Sequence, residues 1–244
     1  FTFSNAIAYV ESAIKKGLDP NEFGAQLSFF FNGHNDFFEE VAKFRSARRI
    51  WAKIMKERFN VSNKKALMCR FHVQTAGSTL TAQQPDNNIV RTSMQALAAV
   101  IGGAQSIHTN SKDEALSLPS AKSAQTALRT QQIIAEESMV ANSVDPLSGS
   151  FLIEELTQNL EHETFKLIKK IDSLGGAVEA IKLNFQEQEI SKTAYEFQKS
   201  IESKKNIIVG INKYKTEQDT NEPNFKIDEG SIQKQLKRLK IFKE

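Results

Sequence analysis

An α/β fold built on a parallel sheet is the architecture this sequence predicts, and three observations carry it. Over residues 1–140, short apolar segments alternate with longer stretches of helical spacing, the order expected of strand–helix units. The connections are short and rich in Gly, Asn, Asp and Pro, residues that end helices and turn chains. The segment LMCRFHVQ at 67–74 alternates strictly. Leu67, Cys69, Phe71 and Val73 face one side of such a strand, and Met68, Arg70, His72 and Gln74 face the other.

Taken in order, residues 1–16 have helical spacing and stop at Gly17. Residues 27–31 read as a short strand, followed by the polar loop 32–36. A long amphipathic helix is predicted over 37–59, because Phe37, Val41, Phe44, Trp51 and Met55 recur at helical intervals. After the strand at 67–74, Pro85-Asp86 precedes a helix that runs to Ile101 and is stopped by Gly102-Gly103. Residues 105–109 form a third short strand. Leu118-Pro119-Ser120 then opens a helix running to about Ser138. Beyond a turn cluster at 145–150 the pattern turns mainly helical, at 152–173 (closed by Gly175-Gly176) and at 187–204. Residues 206–214 are compatible with a strand, and 215–230 with a polar linker. The last segment, SIQKQLKRLKIFKE, is basic and amphipathic, with Ile232, Leu236, Leu239 and Phe242 on one side. It is expected to pack on its own domain, with recognition of a partner as the other reading. The organisation expected is therefore strand–helix units over 1–140, a helical extension over 141–214, and a linker with a basic helix over 215–244.

Composition narrows the functional classes. With 244 residues, 40% of them hydrophobic, the chain can bury a substantial core. A net charge of +3, dispersed until the C-terminus, is not the concentrated basic face of a nucleic-acid-binding protein. The single cysteine excludes a disulfide within the chain and favours a cytoplasmic setting. No apolar run reaches membrane-spanning length and no signal peptide opens the chain. The chain starts on Phe, as a piece of a longer protein would.

Candidate chemistry lies on the strands. Arg70, His72 and Gln74 share one face, as do Ser106, His108 and Asn110 on the third strand. Barrel interiors are normally filled with Val, Ile and Leu. Polar faces turned inward would therefore line a lumen that needs water or a ligand to satisfy them. A solvated edge strand is the alternative. His34, His72 and His108 have no metal-site spacing, and no His-x-x-Glu-His, Cys-x-x-Cys or Gly-x-Ser-x-Gly pattern occurs. No metal site is expected.

Five stretches in sequence, LSFFFNGHNDFFEEVAKFRSARRIWAKIMKERF, RFHVQTAGSTLTAQQPDNNIVRT, GGAQSIHTNSKDEALSLP, ALRTQQIIAEES and VDPLSGSF, closely resemble the large subunit of methylmalonyl-CoA mutase and its acyl-CoA mutase relatives. The similarity runs from residue 1 to 214. It implies the C-terminal part of a (β/α)8 barrel, threaded by the pantetheine chain of CoA, followed by a mainly helical segment. It also implies adenosylcobalamin, bound mainly by a domain or small subunit outside this chain, in an oligomeric assembly. The implied reaction is a radical carbon-skeleton rearrangement, with methylmalonyl-CoA to succinyl-CoA as the first expectation. Isobutyryl-CoA, 2-hydroxyisobutyryl-CoA or a non-catalytic mutase-like subunit are the alternatives.

The same resemblance assigns His72 and Gln74 to the substrate and adenosyl region. It assigns Ser28, Phe30, Gln105 and Ser106 to substrate, Lys65 to the CoA phosphates, and Asn110 and Glu114 to the adenosyl ribose. Three departures stand out. Gln26 replaces an Arg that many mutases carry two residues before the strand serine. The first half of the barrel is missing, and so is the cobalamin motif Asp-x-His-x-x-Gly. A segment lacking both is expected to show no mutase activity alone.

Overall fold

The computed structural model describes residues 1–216 and 228–243. The chain opens with α1 (Thr2–Lys15), which buries Phe3, Ile7 and Val10 from one face. Gly17, at φ +87°, ends the helix in the left-handed conformation. A short helix α2 (Pro20–Phe23) starts on a proline, and the Asp19 carboxylate caps it by accepting from Asn21 N. Then come β1 (Phe29–Gly33) and α3 (Phe37–Lys53), the latter capped by Asp36. The predicted helix over 37–59 keeps its α form only to Lys53 and finishes as a π-turn over Ile54–Arg58. That wider turn keeps Ile54 and Met55 in the core while Val61 N reaches back to Met55 O at 3.0 Å.

Next come β2 (Phe71–Thr75), α4 (Asn87–Ile101), β3 (Ser106–His108) and α5 (Ala121–Glu136), which the Ser120 hydroxyl caps. The three strands form one parallel sheet in the order β1-β2-β3. Each strand differs from its predicted bounds: 27–31 becomes 29–33, 67–74 becomes 71–75 and 105–109 becomes 106–108. Residues 64–67 form a turn instead of strand. The sheet starts only where a neighbouring backbone is within reach, at Phe29 N→Arg70 O (2.8 Å) and Gln105 N→Phe71 O (3.4 Å).

One sheet face is apolar and covered. Phe71 and Val73 are buried there, with Phe29, Phe31 and Ile107 packed alongside, against Phe3, Phe44, Ile50, Trp51 and Ala99 from the helices. Cys69 lies in the same core, where burial pushes its thiol from the usual 9.0 up to about 12, against a small opposing pull from Arg48. Above pH 9 only the unfolded chain ionises this thiol. Its stabilising contribution is therefore complete below about pH 9 and is lost as pH rises towards about 12. A disulfide thiol reagent at pH 8 is expected to label Cys69 only after denaturant is added. Labelling of the native protein at the unfolded rate would contradict its burial.

The remaining helices are α6 (Phe151–Ser173), α7 (Ala177–Lys182), α8 (Phe185–Glu202) and α9 (Glu229–Lys243). α6 packs along α3 and is fastened by an ion ladder. Arg45 Nε meets Asp145 Oδ1 at 2.9 Å, Arg45 Nη2 meets Glu154 Oε1 at 2.7 Å, and Arg49 Nε meets Glu161 Oε2 at 2.9 Å. Lys53 also pairs with Glu161. The hydrogen bond that Arg45 donates to Glu154, opposed by partial burial, raises the Arg45 guanidinium above its ordinary range.

Residues 206–214 do not form the strand their β-branched run suggested. The Asn212 side chain takes the backbone partners instead, accepting from Ile208 N (2.8 Å) and donating to Ile201 O (2.9 Å) and Asn206 O (2.7 Å), which leaves one isolated bridge, Val209 to Lys213. The expected packing of the basic helix is not seen either. Every described residue of α9 is exposed, with Phe242 at 88%. Most of the predicted linker lies outside the described residues. No helix among those described is long and apolar enough to cross a membrane.

Candidate functional site

The other face of the sheet carries most of the candidate residues. Parallel register aligns Phe30 with His72 and His72 with Ser106, and one step on Asn32 with Gln74 and Gln74 with His108. Two rows of side chains therefore cross all three strands on the face opposite the core. Phe30 lies 5.0 Å from the His72 ring between centroids, and His72 Nδ1 is 2.8 Å from Ser106 Oγ. Phe30 is 61% exposed although it sits mid-strand between the half-buried Phe29 and Phe31, so the first row is open to whatever occupies this face.

The predicted site residues sort along the strand direction. Ser28 and Gln105 immediately precede β1 and β3, and Lys65 lies in the exposed turn leading into β2, so all three belong to the amino-terminal end. Phe30, His72 and Ser106 form the middle row. Gln74, Asn110 and Glu114 belong to the carboxyl-terminal end, where ligand sites of parallel α/β folds gather. The sheet thus offers a long, two-ended surface instead of one compact cluster. A cleft of about 260 Å³ beside Ser28 is lined by Asn5, Tyr9 and Phe30. A second, of about 440 Å³, is lined by Phe30, Asn32, Gln74 and Gly77.

Two predicted residues are engaged in structural bonds. The Gln105 side chain accepts from Phe71 N at 2.7 Å and donates to Gly103 O at 2.9 Å, so it extends the sheet before the strand begins. Arg70, which is exposed, spends its guanidinium on backbone carbonyls. Its guanidinium donates to Leu27 O at 3.1 Å and to Ala25 O, tying the loop before β1 to the start of β2.

At the carboxyl-terminal end Gln74 Nε2 donates to Asn110 Oδ1 at 2.9 Å. Asn110 is itself buried, donating from Nδ2 to Thr75 O and from its backbone N–H to Thr75 Oγ1, each at 2.9 Å. Residues 110–114 form a tight turn, not the first turn of a helix: Glu114 N reaches Ser111 O at 3.1 Å. The two side chains nevertheless converge on the turn after β2. A Cβ added to Gly77 would stand 3.0 Å from Asn110 Nδ2 and 3.4 Å from Glu114 Oε1. Glycine leaves that niche free, and Glu114, exposed to solvent, accepts no hydrogen bond among the described residues.

Gly77, Thr75 and the α4 residues Asn88 and Gln95 were not anticipated. The signal for the last two was present: Asn88, Thr92 and Gln95 interrupt the buried face of a helix at spacings of four and three. Among the described residues no group of His, Cys, Asp or Glu is arranged to hold a metal ion.

The sequence profile of the methylmalonyl-CoA mutase family matches residues 1–244. The chain is 44% identical over 241 residues to the 2-hydroxyisobutanoyl-CoA mutase large subunit of Aquincola tertiaricarbonis, covering 98% of this chain and 43% of that relative. It is 41% identical over 244 residues to the mitochondrial methylmalonyl-CoA mutase of Mus musculus, covering 100% of this chain and 33% of the relative. To the methylmalonyl-CoA mutase of Rhizobium meliloti (strain 1021) it is 41% identical over 240 residues, covering 98% of this chain and 34% of the relative. The chain thus spans less than half the length of these curated relatives. A family match over its whole length, joined to a parallel sheet with one polar, open face, shows that this chain belongs to the methylmalonyl-CoA mutase family.

Proposed function

We propose that this chain forms the later strand–helix units of a barrel that binds an acyl-CoA ester, in an adenosylcobalamin-dependent mutase acting first on methylmalonyl-CoA. The observation that carries this reading is the pair of cross-sheet rows, Phe30–His72–Ser106 and Asn32–Gln74–His108. Parallel sheets usually bury both faces under apolar cover. A face lined with imidazole, amide and hydroxyl groups suits a thread rich in hydrogen-bonding groups, such as pantetheine with its two amides. The two-ended arrangement also suits an elongated ligand. Lys65 at the amino-terminal end would meet phosphates as a flexible cation, and Gln74 with His72 would meet the acyl end.

The carboxyl-terminal end would suit the ribose of an adenosyl group. Gly77 keeps a side chain from crowding Asn110 and Glu114, whose spare Nδ2 proton and carboxylate offer a donor and an acceptor for a diol. When bound, adenosylcobalamin supplies hydrogen abstraction after homolysis of its cobalt–carbon bond. The residues of this chain orient the acyl group, hold the ribose and exclude water from the space between them. The units over 1–140 would supply the barrel wall, and the extension over 141–214 would buttress it through the α3–α6 ladder. The cobalamin-binding domain or subunit would close the carboxyl-terminal end.

The test uses the complete subunit assembled with its cobalamin-binding partner and supplied separately with methylmalonyl-, 2-hydroxyisobutyryl- and isobutyryl-CoA. Succinyl-CoA formation is expected, and His72→Ala should lower kcat/KM by about tenfold or more, the scale of a lost polar contact in the transition state. Product from 2-hydroxyisobutyryl-CoA alone would reassign the substrate. Acyl-CoA binding without turnover of any of the three would favour the non-catalytic subunit.

A further inference from the structure

Two buried carboxamides on one face of α4 fasten the loops that follow all three strands. Asn88 and Gln95 are 0% and 1% exposed and stand two helical turns apart, hence on the same face. Gln95 Oε1 accepts from Ala76 N at 3.0 Å, while its Nε2 donates to Thr79 Oγ1 at 2.7 Å and to Asn35 Oδ1 at 2.6 Å. Both ends of the turn around Gly77 are thereby joined to the loop after β1. Asn88 Oδ1 accepts from Thr81 N at 3.1 Å, and its Nδ2 donates to Thr81 O and Lys112 O, each at 2.8 Å. That joins the exit of the same turn to the loop after β3, at a carbonyl lying between Asn110 and Glu114.

A helix buried against a sheet normally presents apolar side chains, and burying amides is tolerated only when they are bonded. Here each carboxamide uses both its oxygen and its nitrogen, and every bond except the one from Arg91 to Asn88 Oδ1 goes to a βα-loop. The bonds converge on one dimension, the separation between Gly77 and the Asn110–Glu114 pair, where a single Cβ already reaches within 3.0 Å of an amide. We infer that Asn88 and Gln95 are positioning residues that set the width of this niche without touching its occupant. The inference rests on the proposed role of Asn110 and Glu114 and names what holds them in register.

The experiment uses the complete assembled enzyme and four variants: Gln95→Met, Gln95→Glu, Glu114→Ala and the double variant Gln95→Met with Glu114→Ala. Misplacing groups by a fraction of an ångström costs rate more than ground-state binding, so Gln95→Met should lower kcat about ten- to a hundredfold. The KM for acyl-CoA should stay within about twofold, since CoA is expected at the other end of the strands. Gln95→Glu keeps the acceptor for Ala76 N and should retain more activity. The double variant should be no slower than Glu114→Ala, because both changes would act through one contact. Hydrogen exchange of the amides at 76–81 should be about tenfold faster in Gln95→Met, a local loosening that needs no turnover to be read.

Parental kcat and parental exchange in Gln95→Met would overturn the inference. So would a proportionate rise in KM, or losses that multiply in the double variant. If Glu114→Ala turned over like its parent, the ribose role of Glu114 would fail by itself. Faster exchange at 76–81 would then still support the fastening, and unchanged exchange would overturn it. Should Gln95→Met not fold, Asn35→Ala removes one of the three bonds at an exposed position, with the same directions expected.

Discussion

On the proposed function, turnover by the complete assembled protein is expected to fall about ten- to a hundredfold when Glu114 is replaced by alanine. A hydrogen bond to a charged group is worth about 1.5–3 kcal/mol, and each 1.36 kcal/mol of barrier is tenfold in rate. Glu114 is suited to such a bond. It faces the niche above Gly77, is exposed, and accepts no hydrogen bond among the described residues, so removing it disrupts no packing. Asn110 is a poorer target, because its amide also binds Gln74 and Thr75 and a truncation there would disturb the ends of two strands. Acyl-CoA affinity should change little in Glu114→Ala, since Ser28, Lys65 and Gln105 lie at the opposite end of the strands. Steady-state kinetics with titrated acyl-CoA and cofactor decide the matter. Unchanged turnover, or a loss accounted for by acyl-CoA binding, would remove Glu114 from the site.

Trp51→Ala is expected to cost about 3–5 kcal/mol of folding stability, the range for deleting a large aromatic side chain from a core. Trp51 is 0% exposed and sits where α1, β1 and α3 meet. Its ring meets Phe29 edge-on at 4.8 Å and lies near-parallel to Phe3 at 6.4 Å, while its Nε1 donates to Ala66 O at 3.2 Å. The alanine variant would lose the packing on both rings and strand a buried carbonyl. Phe29 is next to Phe30, so the open face should also loosen. Urea unfolding of the complete subunit, parent against variant, measures the loss. A shift below about 1 kcal/mol would mean that the surrounding aromatics close over the cavity.

Much of the scaffold was legible because helix signals are local. Ser120 was read as a helix opener, and Gly17 and Gly102 as stops, since a capping side chain or a glycine acts on the backbone beside it. The alternation at 67–74 was legible for the same reason, and Phe71, Val73, His72 and Gln74 lie on the faces it assigned. Strand ends were not, because a strand ends where its neighbour does. Leu67 and Met68 have the right pattern but no partner backbone. Residues 206–214 show the same failing: Ile207, Ile208 and Val209 favour strand, but the Asn212 side chain bonds Ile208 N and Asn206 O, and Arg91 takes the Val209 carbonyl. The ion ladder between α3 and α6 was also hidden, since Arg45 and Glu154 are 109 residues apart and nothing local pairs them.

By itself the sequence determined which side chains share a face and where most helices begin and stop, and through resemblance it named the residues proposed for the chemistry. All of these depend on a few neighbouring residues or on motifs read in order. The tertiary structure alone decided that Phe30, His72 and Ser106 stand in one row, that Gln105 and Arg70 are engaged with backbone, and that Asn110 and Glu114 close on Gly77. Each of these depends on register between distant segments. Period-two alternation cannot specify register, because sliding a strand by two residues preserves its faces while changing every neighbour. Packing and buried hydrogen bonds choose among the registers, and here the carboxamides of Asn88 and Gln95, bonded to loops up to 60 residues away in sequence, help to make that choice.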